Sequence, residues 1–162
     1  MAEQSQKRRV VVTGMGVVTP IGLNVADFWQ GLHEARSGVS DVGGFPLEDL
    51  KILIAAQIKD FEPRDHLRGF KRDKIIMHAD RYSWFAAAAA DQAVKQSGLE
   101  VPFVDPYRTA CIIGSGAGGL VTYEKAYRDL FIENKRATHP LTLLRIIGSS
   151  ASAHVGIEFG VK

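Results

Sequence analysis

Thr109-Ala-Cys-Ile-Ile113 running into Gly114-Ser-Gly-Ala-Gly-Gly119 is the stretch on which the fold turns. The short, mostly apolar run reads as a buried strand, and a strand feeding a glycine turn and then a helix is where layered α/β proteins place ligands. Four of the six turn residues are glycine. The backbone there can take positive φ and admit a close neighbour, at roughly 0.5–1 kcal/mol of chain entropy per glycine. Gly114, Gly116 and Gly119 also satisfy G-x-G-x-x-G, which suggests a nucleotide pyrophosphate on the N-terminus of the next helix. A dinucleotide site further needs a strand after that helix, with an acid about 20 residues beyond the glycines. Here the chain enters the polar loop Glu133-Asn-Lys-Arg-Ala-Thr-His-Pro140 instead.

Upstream, Arg8-Arg-Val-Val-Val-Thr13 reads as a strand buried on both faces, and Gly14 to Gly22 as a turn-rich connection. Gly14 and Gly16 begin a second nucleotide-like pattern, but the next plausible strand acid, Asp60, lies too far along the chain. Asn24 caps a helix with Asp27 three positions on; Val25, Phe28, Trp29 and Leu32 share its apolar face, and Gly38 closes it. After a loop with Gly43, Gly44 and Pro46, Ile52 to Ile58 is predicted as a second strand.

From Lys71 to Ser97 the periodicity predicts one helix, stopped by Gly98. Its alanine run, Ala86 to Ala90, favours helix and allows close backbone approach, so it is expected inside the layers. A helix follows the glycine turn. Leu141 to Ile157 is predicted as a last helix, carrying small residues from Gly148 to Ala153 that permit a close helix or subunit contact. Strands and helices in alternation indicate an α/β layered sheet.

With 162 residues, 46% hydrophobic content and a net charge of +2, the chain suits a globular domain and does not demand nucleic acid as a partner. No apolar run reaches membrane-spanning length and the N-terminal tail lacks a secretory signal, so the cytoplasm is the expected compartment. The lone Cys111 excludes an internal disulfide and a cysteine-cluster metal site. His78 reads as a packed or surface histidine, with no partner at metal-ligand spacing.

Arg9-Val-Val-Val-Thr-Gly-Met-Gly-Val-Val-Thr-Pro-Ile-Gly22, the Phe28-Trp29 helix, Arg36-Ser-Gly-Val39 and Ile113-Gly-Ser-Gly-Ala-Gly-Gly-Leu120 together resemble the N-terminal part of a β-ketoacyl-[acyl-carrier-protein] synthase. The likeness covers nearly the whole chain, residues 1–162, in order. It implies a thiolase-like fold of helix, sheet, helix, sheet and helix layers, of which this chain is an incomplete part, and a homodimer. It also implies decarboxylative condensation of an acyl thioester with malonyl-carrier protein, with no cofactor and no metal. The cysteine nucleophile and two histidines of the family are expected beyond Lys162, so the chain alone is expected to be inactive. Cys111, His139 and His154 match none of them.

The resemblance implies acyl-substrate contacts at Ala117, Thr142 and Ile146, with Ala117 at the bottom of the acyl pocket. It places Leu144-Arg145 where the family commonly has a proline and a small polar residue. Acyl carrier protein is expected to dock on Arg68, Lys71, Arg72 and Lys74, although Met77 and His78 stand where relatives often carry more basic residues. The alternative readings are a non-catalytic chain-length or binding partner of the same family and, from the glycine pattern, a nucleotide-binding module.

Overall fold

The structure is a computed structural model that describes residues 9–44, 48, 50–67 and 72–162. In chain order these residues form α1 (Val25–His33), β1 (Ser40–Asp41), β2 (Ile54–Ala55), α2 (Pro63–His66), α3 (Arg72–His78), α4 (Arg81–Ser97), α5 (Leu120–Tyr127), a π-helical turn (Arg128–Ile132), α6 (Thr142–Ile146) and α7 (Ser150–Phe159). The N-terminal tail, Pro46, Arg68 and Lys71 fall outside the described residues.

Helix α4 is the floor on which the rest is laid. Ala87 and Ala88 are buried with Leu67, Ile75, Val155 and Phe159, so the core lies between α4, α3 and α7. Without bulk at the alanines a second backbone can lie directly on the helix. A Cβ at Gly14 would stand 2.0 Å from the Ala93 carbonyl oxygen, and one at Gly16 would stand 1.8 Å from that of Ala89. The segment on the helix cannot pair with it as a strand would, so α4 side chains satisfy its backbone. Gln96 Oε1 accepts from Met15 N at 2.5 Å and Gln92 Oε1 from Val17 N at 3.1 Å. Gln92 Nε2 donates to the carbonyls of Val17 and Leu23, at 3.2 and 2.8 Å.

The sheet departs from expectation. Among the described residues β1 and β2 make the only ladder, antiparallel, with Ser40 opposite Ala55 and Asp41 opposite Ile54. Residues 9–13 and 109–113 form no strand; Val10 and Ile112 are 94% and 93% exposed. Their β-branched composition favours extended backbone, but a strand exists through the partners that bond its N–H and C=O groups, and no such partner faces these runs among the described residues. Gly14 to Gly16 and Thr109 to Ile113 border an apolar groove of about 490 Å³ floored by α4 and α7.

Helix ends also differ from the periodic reading. α1 starts as expected, with Asn24 Oδ1 accepting from Asp27 N at 2.9 Å. It stops at Glu34, where Ala35 takes φ 50°, and not at Gly38. Trp29 and Leu32 stay exposed, because α1 packs through Gly31, whose Cβ position lies 2.9 Å from the Ile21 carbonyl oxygen. The helix expected from Lys71 to Ser97 breaks at Ala79–Asp80, and the one from Leu141 to Ile157 breaks after Ile146. Gly98 does end α4, at φ 68°.

Candidate functional site

What comes close to the glycine turn is the end of α6. Gly118 has φ 66°, and a Cβ there would lie 2.2 Å from the Ile146 carbonyl oxygen; one at Gly119 would lie 2.2 Å from that of Arg145. Gly119 N donates to the Ile146 carbonyl at 3.0 Å, and Gly118 N to Ser115 Oγ at 3.0 Å. Gly114 and Gly116 face open space.

The N-terminus of α5 is occupied by a carboxylate. Asp80, 5% exposed, stands at the N-cap position of α4 but makes no cap bond to that helix. Its Oδ2 instead accepts from Thr122 N at 2.8 Å and Thr122 Oγ1 at 2.5 Å. A carboxylate is what the positive end of a helix favours. It fills the place that a phosphate would take and repels a second anion, so the nucleotide reading finds no support in this geometry.

The turn bearing Ala117 and the helix bearing Thr142 and Ile146 are thus brought together. Ala117 is exposed on the open side of the turn, while Thr142 and Ile146 are half-buried. Thr142 is held by its own loop, donating from Oγ1 to the His139 carbonyl at 2.6 Å. Of the expected docking residues, Arg72 and Lys74 lie on α3. Lys74 is exposed; Arg72 Nε stands 3.5 Å from Asp73 Oδ1, which also pairs with Arg64 Nη1 at 3.2 Å. Asp73 thereby offsets part of the positive charge of this face.

Cys111 is half-buried in the wall of the apolar groove, and burial pushes its thiol pKa up. A thiol so shifted carries less thiolate and behaves as a packing group. His154 has a lowered pKa, first because it is half-buried and second because His78 stands near. Among the described residues no group of His, Cys, Asp or Glu is arranged to hold a metal ion, and no helix is long and apolar enough to cross a membrane.

Sequence reasoning missed the contacts that Asp80, Tyr82 and Arg145 make. An aspartate before an apolar periodic run is a cap signal. It was hidden because the pattern carries through Asp80 without a visible break. Tyr82 Oη donates to the Ile147 carbonyl at 2.6 Å and Arg145 Nη2 donates to the Met77 carbonyl, contacts 65 and 68 residues apart in sequence that no local pattern encodes.

Residues 7–162 match the family model described as the N-terminal domain of beta-ketoacyl synthase. The chain is 38% identical, over 157 residues, to a 3-oxoacyl-[acyl-carrier-protein] synthase 2 of Coxiella burnetii, covering 97% of this chain and 37% of that protein. A protein of the same name from Staphylococcus aureus is 32% identical over 158 residues, covering 98% of this chain and again 37% of the relative. Among solved structures, the ishigamide ketosynthase/chain length factor superposes with a TM-score of 0.79 at 28% identity, covering 95% of this chain and 38% of that one. The chain therefore spans little more than a third of the length of these relatives. The fold is the thiolase-like ketosynthase fold, present here as an incomplete N-terminal part. A likeness that runs in order through both glycine segments, and that extends over residues 7–162, makes this chain a member of the β-ketoacyl synthase family, within its N-terminal domain.

Proposed function

We propose that the chain is the N-terminal part of a 3-oxoacyl-acyl-carrier-protein synthase of fatty acid biosynthesis. Such an enzyme joins an acyl thioester to malonyl-carrier protein with loss of carbon dioxide. The observation that carries this reading is the likeness to 3-oxoacyl-[acyl-carrier-protein] synthases over 97% of the chain. Burial pushes the Cys111 thiol up in pKa, which weakens it as a nucleophile, and on this reading acyl acceptance falls to a residue of the complete protein outside these 162. These residues supply wall and docking elements. Ala117, on the open side of the glycine turn, with Thr142 and Ile146 on α6, lines the acyl chain. Arg72 and Lys74, with Arg68 and Lys71, meet the acidic carrier protein. The complete protein works as a cytoplasmic homodimer, with the exposed small residues Ser149 and Ala153, beside the buried Ser150 and Ala151, at or near the subunit contact.

The test is Ala117→Phe in the complete protein. Each substrate methylene excluded from an apolar wall forfeits about 0.8 kcal/mol. Two methylenes therefore cost long primers a little over tenfold in kcat/KM, about 1.6 kcal/mol, while short primers keep theirs. Equal loss for every length would reject the pocket assignment. For the docking face, Arg72→Glu with Lys74→Glu is expected to raise KM for carrier-bound substrates and to leave KM for small thioesters unchanged.

The likeness to a ketosynthase/chain length factor supports a second reading, a non-catalytic partner subunit of the same family. Incubating the complete protein with labelled acyl-carrier protein separates them. A covalent acyl-enzyme belongs to the synthase; its absence, with carrier binding retained, belongs to the partner.

A further inference from the structure

We infer that Arg145 is a positioning residue that fixes the α6 wall of the acyl pocket to the carrier-docking helix α3, so that the two halves of the site move as one body. The inference rests on the proposed reading of these surfaces, but the contacts that motivate it do not. Arg145 touches both halves. Its backbone carbonyl oxygen stands 2.2 Å from where a Gly119 Cβ would be, so it lies directly against the glycine turn. Its side chain turns the other way, and Nη2 donates to the carbonyl of Met77 in the last turn of α3. That carbonyl is among the last of a helix, which have no partner within it, and a cation is favoured there by the helix dipole.

The guanidinium is not on α3 for want of a better place. Arg145 Nε is buried and has no hydrogen-bond partner, a loss that a surface arginine avoids by turning into water. The side chain gives up that solvation and remains across the gap. The same end of α6 is held from α4 as well, where Tyr82 Oη donates to the Ile147 carbonyl at 2.6 Å. From the residue that precedes α5 comes the Gly119 N–H, donated to the Ile146 carbonyl at 3.0 Å. Residues 145–147 are therefore tied to α3, α4 and the start of α5 by successive bonds. These three ties, from Arg145, Tyr82 and Gly119, each join segments at least 27 residues apart in sequence. Any displacement of α3 would reach Ile146 and the glycine turn through Arg145, with Tyr82 holding Ile147 to α4.

The experiment uses Arg145→Met, Arg145→Lys and Tyr82→Phe in the complete protein, with two readouts. Amide hydrogen exchange at Gly119 reports the tie itself, and kcat/KM for a series of primer lengths, with KM for the carrier, reports its use. In Arg145→Met the Gly119 amide is expected to exchange about tenfold faster, the scale of a local opening freed of one tie. The ratio of long-primer to short-primer kcat/KM is expected to fall about fivefold, an order-of-magnitude figure for a loosened wall. Arg145→Lys keeps a cation within reach of the carbonyl and is expected to recover part of both effects. Tyr82→Phe is expected to speed the same amide without altering charge.

Unchanged Gly119 exchange in folded Arg145→Met would overturn the inference, as would a uniform fall in rate for all primers. If Arg145→Met does not fold, the same decision is read from Arg145→Lys and Tyr82→Phe. A wild-type protein that fails to condense any primer would refute the proposed function. The exchange readout would then still decide whether Arg145 ties α6 to α3.

Discussion

The chain carries two glycine segments that look alike in sequence and do opposite things. At Gly14 and Gly16 the missing Cβ atoms let one backbone lie on another, with the Ala93 and Ala89 carbonyls at 2.0 and 1.8 Å from the Cβ positions. At Gly114 and Gly116 nothing stands within 4 Å. The close approach in the second segment is displaced to Gly118 and Gly119, which meet the end of α6. A glycine pattern of the nucleotide-binding kind thus signals that some group comes close, and the group here is protein backbone in both places. Support differs as well. Side-chain amides of Gln92 and Gln96 satisfy the first segment, and the buried carboxylate of Asp80 caps the helix that follows the second.

The contrast can be broken most directly at Gly16. Gly16→Ala drives a methyl group into the Ala89 carbonyl, and neither backbone can yield without parting the segment from α4. A loss of about 3 kcal/mol, the upper range for overpacking, is expected in denaturant unfolding of the complete protein. A loss below 1 kcal/mol would mean that the segment is not seated on the helix. Next in size is Asp80→Ala, which leaves the half-buried Thr122 N–H and Oγ1 without their acceptor. Hydrogen bonds to a charged group contribute about 1.5–3 kcal/mol, so a loss near 2 kcal/mol is expected, measured in the same way. Asp80→Asn, which keeps an oxygen acceptor, should cost less than Asp80→Ala; equal costs would show that the acceptor is not what matters.

Gly116→Ala sharpens the comparison from the other side. With open space around it and φ outside the left-handed region, the substitution is expected to be neutral or to stabilise by about 0.5 kcal/mol through the unfolded chain. The smallest effect concerns acid. The pKa of His154 is lowered in the folded state, so the unfolded chain binds its proton more readily. The contribution is complete above the ordinary histidine value of about 6.5 and is lost as pH falls below it. His154 sits on α7, so acid is expected to loosen that helix. The melting temperature is expected to drop between pH 7 and pH 5.5, and His154→Gln should reduce that drop; an unreduced drop would place its cause elsewhere.

Much of this was legible in the chain. The family could be read from a resemblance of motifs taken in order, Arg9–Gly22, the Phe28-Trp29 helix, Arg36–Val39 and Ile113–Leu120. The alanine run announced a helix that others approach closely, and Ala87 and Ala88 are indeed buried. Ala117, Thr142 and Ile146 could be assigned only through the resemblance. The extended runs at 9–13 and 109–113 were over-read. Val10, Val11, Val12 and Ile112 have strand-forming side chains, and propensity reports what a residue tolerates, whereas a ladder depends on a second backbone alongside.

The sequence by itself determined what acts locally. Asn24 capped α1 by reaching its own third neighbour, Gly98 stopped α4 because it takes positive φ at no steric cost, and the apolar periodicity marked residues 81–97 as helical while running through the break at Ala79–Asp80. Tertiary structure decided whatever depends on a partner distant in sequence. It showed that Asp80 caps α5 and not α4, that α6 ends against Gly118 and Gly119, and that Arg145 crosses to Met77. The physical reason is one of range. Capping and propensity act over a few residues of chain, whereas a buried carboxylate or guanidinium is satisfied by whichever group the packing brings within hydrogen-bond distance, and that choice exists only once the helices have met.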